Sequence, residues 1–126
     1  MKNFYIEEGE GKHKVFLWAV ATGDGILVNI LGGEKPHLGA VVVSLPRPGL
    51  ADPSVTSCTT SVLPLPGHKD DEAARPVAEL LAKVTGQPVS VAVGMHIHEA
   101  KKEDIDKLLH NTRVAADRLL KLLDIE

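Results

Sequence analysis

Between His13 and Thr22 nearly every position is apolar, with Val15, Leu17, Ala19 and Ala21 on one side and Phe16, Trp18 and Val20 on the other. Side chains alternate across a strand, so this segment has two apolar faces. It is expected inside a sheet, with its second face covered by a helix or another subunit. Asn3 to Glu8 alternates more weakly. Gly23-Asp24-Gly25 supplies a tight turn into Ile26 to Leu31, which predicts an antiparallel hairpin. Leu38 to Leu45 reads as a buried strand. Pro46, Pro48 and Pro53 lack the donor a ladder needs, so the segment 46–53 is expected to be a loop. Ser54 to Leu63 is a hydroxyl-rich strand around Cys58, stopped by Pro64 and Pro66.

The period then changes. Ala73, Val77, Leu80, Leu81 and Val84 predict a helix from about Asp71 to Thr85, stopped by Gly86, whose regular part begins near Glu72 or later because Pro76 tolerates only an early position. Val89, Val91, Val93, Met95 and Ile97 take one face of a further strand, and Ser90, Ala92, Gly94, His96 and His98 take the other. A last helix from about Lys101 carries Ile105, Leu108, Leu109, Thr112, Ala115, Ala116, Leu119, Leu122 and Leu123 on one face. Five strands, a helix, a strand and a helix make the class α+β, mainly antiparallel, in one domain over residues 1–126.

Composition narrows the function classes. A chain of 126 residues can bury roughly two-thirds of its unfolded surface without disulfides. Its formal charge of −3, with no Lys/Arg run longer than two, argues against binding a nucleic-acid backbone. The four aromatics, Phe4, Tyr5, Phe16 and Trp18, fall too close together for a base-stacking platform. The lone Cys58 excludes an internal disulfide framework and a paired-cysteine zinc site. The acidic start and the lack of an apolar stretch near ~20 residues predict a cytoplasmic protein without a membrane segment. From Pro36 to His68 only Arg47 and Asp52 are charged, as in a buried sheet or the wall of a site, whereas 20 of the 31 formal charges lie from Lys69 onward.

Six histidines carry the chemical signal. His96 and His98 are two apart, so in an extended strand their imidazoles point the same way and can converge on one divalent transition metal. His37 and His68 stand beside glycine and proline in loops and join them as candidate ligands. His13 and His110 are expected to be solvated. Ser90, Ala92 and Gly94 leave a shallow trough in which a flat ring could lie. The two helix starts, one after Lys69, offer a place for a phosphate, although nearby acidic residues complement those ends already. No phosphate-binding glycine loop, dinucleotide fingerprint, metalloprotease helix or nucleophile elbow occurs, so an unaided hydrolase has little support.

Gly-Gly-Glu-Lys-Pro-His-Leu-Gly-Ala-Val (32–41), Pro-Gly-His-Lys-Asp-Asp-Glu (66–72) and Gly-Met-His-Ile-His (94–98) together resemble the LpdD-like prenylated-flavin chaperones, the small D subunits of hydroxyarylic acid decarboxylases. The resemblance implies a fold like that of proteasome assembly chaperones, a β-sandwich flanked by helices. It also implies a non-catalytic role, holding prenylated flavin mononucleotide for a decarboxylase large subunit. Carried onto this chain, it makes His37, His68, His96 and His98 metal or cofactor contacts and puts Lys69 near the phosphate; the trough of Ser90, Ala92 and Gly94 has room for the flavin ring, and Gly32 and Gly33 are expected beside the cofactor. The two apolar faces of the second strand predict a homodimer or higher homo-oligomer. The alternatives are a metal-dependent enzyme with Glu99 or Asp70 as general base, and an interaction protein in which the histidines are incidental.

Overall fold

The computed structural model describes residues 1–65 and 70–123. Its elements are β1 (Lys2–Glu8), a 3-10 turn (Gly11–His13), β2 (Val15–Ala21), β3 (Ile26–Gly33), β4 (Ala40–Pro48), β5 (Thr56–Pro64), α1 (Asp71–Thr85), β6 (Val89–His96) and α2 (Lys102–Leu123). The α+β class holds. All six strands form one sheet in the order β1-β2-β3-β6-β4-β5. Its hairpins are antiparallel, but β6 returns from α1 to lie parallel to β3, with Ile30 opposite Val93 and Gly33 opposite His96. The sheet is therefore mixed, because a strand that follows a helical crossover inserts between β3 and β4.

Strand alternation sorts the side chains as the sequence predicts. Leu17, Val28, Ile30, Val42, Val91 and Val93 turn to one face, where they are buried with Val77, Leu81, Ala115 and Leu119 of the helices. Helix α1 covers β4, β5 and β6, α2 covers β1 to β3, and the helices touch each other. Among the described residues no helix covers the other sheet face. Paired across it are Tyr5, Trp18, Asn29, Ala92, Val41 and Leu63, one from each strand.

One proline expectation needs correction. Pro46 and Pro48 lie within β4, paired with Cys58 and Thr56 of β5. Strand β6 accompanies β4 only as far as Ser44. Two prolines two residues apart direct their missing donors to the same side, and on the side that β6 has left no ladder asks for them. Helix α1 begins at Asp71 with Pro76 inside it. Pro76, Arg75 and Glu72 are all exposed, so the Glu72 carbonyl that loses its i+4 partner faces water. At its other end Gly86 takes a φ of +67° and donates its N–H to the Ala82 carbonyl at 2.9 Å, an αL helix stop.

His13 is also corrected. Its side chain is largely buried, with Nε2 2.7 Å from Asp104 Oδ1 at the start of α2. The Lys101 N–H donates to Asp104 Oδ2 at 3.0 Å, and Asn111 donates to the His13 carbonyl at 2.8 Å. These bonds clamp the β1–β2 connection to α2. His110 is exposed, as expected. Cys58 is half-buried on the α1 side, its thiol 3.6 Å from Glu79 Oε2. No helix among the described residues is long and apolar enough to cross a membrane.

Candidate functional site

The C-terminal ends of the parallel pair β3 and β6, the start of β4 and the starts of both helices meet at one end of the sheet. Segment 34–39, joining β3 to β4, folds back over this end. Glu34 and Lys35 donate their N–H groups to the His96 carbonyl at 2.8 and 3.1 Å, and Gly39 donates to the Val93 carbonyl at 2.8 Å. Such close approach requires bare α-carbons. Gly33 has a φ of +76°, and a Cβ on it would strike the His96 backbone. A Cβ on Gly94 would strike the His37 backbone, and one on Gly32 the Lys14 carbonyl oxygen. Glycine frees these positions for the chain's own backbone rather than for a ligand. The expected trough is thus closed at Gly94 by His37.

Asp70 pins the same region from the start of α1. Its Oδ1 accepts the Met95 N–H at 3.1 Å, and Oδ2 stands 3.4 Å from His37 Nε2. The His37 and His96 rings are 6.4 Å apart, edge to face. His98 lies beyond the end of β6, so the i, i+2 alignment with His96 is lost. Its N–H donates to Glu34 Oε1 at 3.0 Å, and its exposed imidazole sits 3.6 Å from Glu99. The structure therefore brings His37 and His96 together and leaves His98 aside. His68 and Lys69 lie outside the described residues. Among the described residues no group of three or more His, Cys, Asp or Glu side chains is placed to hold a metal ion.

What remains of the trough is a cleft of about 360 Å³ on the open sheet face, with Ala92 in its floor and Trp18, Asn29, Leu31 and Leu38 around it. A second cleft of about 400 Å³ is lined by Lys35, His37, Leu38 and His96. The two share His37 and Leu38 in their linings; the first is mainly apolar, and the second carries Lys35. Trp18 is held by its neighbours, with ring centroids 4.9 Å from Tyr5 and 6.2 Å from Phe16. Of the predicted cofactor contacts, Ala92 lines the first cleft, His96 the second, and His37 both. Ser90 lies further along the strand, between Leu27 and Val43 of the flanking strands. Lys35, Leu38 and Asn29 were not singled out by sequence reasoning. Lys35 and Leu38 flank His37 in the 32–41 block, and that adjacency was the available signal.

The sequence matches the family model for the prenylated flavin chaperone LpdD-like domain over residues 9–124. No curated protein matches it. Among solved structures it is similar to a chain described as "Crystal Structure of a Novel Chaperone Complex for Yeast 20S Proteasome Assembly", with a TM-score of 0.59 and 19% identity over 97% of this chain and 94% of that one. At that identity the likeness is one of fold.

Proposed function

The chain belongs to the prenylated flavin chaperone LpdD-like family, and from that premise we propose that it holds prenylated flavin mononucleotide in the cleft running from Trp18 to His96, for delivery to a partner decarboxylase. The observation that carries the reading is the contrast between two adjoining clefts, one mainly apolar and one carrying Lys35, that share His37 and Leu38. A flavin mononucleotide is a flat, largely apolar ring joined by a ribityl chain to a dianion. Trp18, Leu31, Leu38 and Ala92 offer surface for the ring and its prenyl extension. Lys35 and His96 lie at the far end, where a phosphate finds cationic and hydrogen-bonding partners.

The expected transition metal has less to rest on. His37 and His96 supply two imidazoles, His68 lies outside the described residues, and the cargo reading proceeds without an ion. The homodimer expected from the second strand would use the open sheet face beside the cleft, a reading supported by the exposure of Leu27, Leu45 and Leu63. The cytoplasmic location stays with the proposal.

The test is a paired titration. Reduced prenylated FMN and the phosphate-free riboflavin are titrated against wild type, Lys35→Glu and His96→Ala. Both substitutions are expected to weaken FMN binding about tenfold, roughly the worth of one charge-assisted contact, and to leave riboflavin unchanged. Equal affinity of all three proteins for FMN, or no flavin binding by wild type, overturns the proposal.

A further inference from the structure

On the helix side of the same sheet end lies a groove of about 420 Å³ between the starts of α1 and α2, which nothing above uses. Its walls are Ile97, Ile105, Leu108 and Leu109, with Ala73 and Met95 beneath. Ile105 belongs to the apolar stripe of α2, yet it is 46% exposed. Asp70, Glu72 and Glu99 stand around the mouth. Asp70 is engaged with Met95 and His37, while Glu72 and Glu99 are exposed. Glu99 takes a φ of +51°, alone among the described non-glycine residues in the left-handed region, a conformation that turns the chain between β6 and α2 and costs a side-chain-bearing residue free energy.

An apolar groove with a carboxylate rim repels a phosphate and suits an apolar side chain flanked by lysine or arginine. His96 lines both this groove and the cationic end of the cargo cleft. A protein seated in the groove therefore stands beside the end of the cleft assigned to the phosphate. The geometry points to the groove as the docking site of the flavin-accepting enzyme, through a segment carrying an apolar residue next to basic ones. This rests on the cargo reading for the identity of the partner.

The test immobilises the full chain and measures binding of the apo-decarboxylase large subunit by biolayer interferometry, with FMN titrations of the same proteins in parallel. Wild type is expected to bind, more weakly as salt rises from about 50 to about 300 mM, because exposed charges are screened. Ile105→Glu, at an exposed position, and the double variant Glu72→Lys/Glu99→Lys are each expected to weaken it at least about tenfold while FMN affinity holds within about twofold. Undiminished binding by both variants overturns the docking site, as does loss of their FMN affinity. A change in self-association in place of enzyme binding also overturns it, since the groove would then seat a second copy. Failure of wild type to bind FMN while the variants still lose the enzyme overturns the cargo reading and leaves the docking site standing.

Discussion

Gly94→Ala tests how segment 34–39 is held. A Cβ on Gly94 would fall at covalent rather than van der Waals range from the His37 carbonyl group. Restoring ordinary contacts of about 3.5 Å requires the segment to retreat by on the order of 2 Å. That retreat breaks the bond from the Gly39 N–H to the Val93 carbonyl, worth about 1 kcal/mol. The remaining overpacking adds about 1–3 kcal/mol. A total of about 2–4 kcal/mol corresponds to a fall in Tm on the order of 10 °C for a domain of this size. Urea unfolding followed by far-UV circular dichroism gives the free energy, and flavin titration of the same protein reads the cleft, whose wall His37 and Leu38 form. The two losses are expected together. Wild-type stability and wild-type affinity in Gly94→Ala would refute the reasoning, because the segment would then not be seated on Gly94.

Trp18→Ala is expected to weaken flavin binding about 2- to 12-fold, from about 0.5–1.5 kcal/mol of ring contact; since Trp18 is the sole tryptophan, quenching of its emission on titrating wild type reads the same contact. Glu79→Ala removes the acceptor of the Thr60 hydroxyl at 2.7 Å, beside buried Ser44, and is expected to cost about 1–3 kcal/mol in urea unfolding. The His13 imidazole, then the Lys101 N–H and Lys12, hold the Asp104 carboxyl at about 2, below its ordinary 3.8. The folded state thus binds fewer protons than the unfolded one between these values, so this contribution is full above about 4 and is lost as pH falls toward 2. Asp104→Asn is therefore expected to lower stability at neutral pH and to flatten the rise of the urea midpoint between pH 2 and 4, and an unchanged slope there would show that the clamp carries no linkage.

The parts of the structure that depend on side-chain period were legible. Val89, Val91 and Val93 were assigned to the buried face of β6, and Leu108, Ala115 and Leu119 to the buried stripe of α2, because periods of 2 and 3.6 fix which side chains share a face. Partners distant in sequence were not. The carboxylate that holds His13 comes from Asp104, 91 positions on, and no local pattern around Gly11-Lys12-His13 announces it. The trough was placed on the face that carries Ala92, but what lies over that face depends on how segment 34–39 returns across β6. Small side chains at Gly33 and Gly94 suit an incoming ring and an incoming backbone equally well, and the sequence alone does not choose between them. His96 and His98 were paired on the premise that the strand runs through both. It ends at His96, where the turn leading to Glu99 begins.

A site built on one face of an open sheet has consequences for a cargo holder. In the proposed complex the ring lies against Ala92 and Trp18 from one side, so it would enter and leave without any element of the fold moving. The backbone that shapes the cleft is fixed by three bonds from segment 34–39 to β6, so little ordering is lost on binding. Preorganisation without enclosure favours fast exchange, and affinity is then set mainly by how quickly the cargo departs. Discrimination falls to the two ends, where Lys35 and His96 can separate a phosphorylated flavin from riboflavin while Leu31 and Leu38 favour one with an apolar extension.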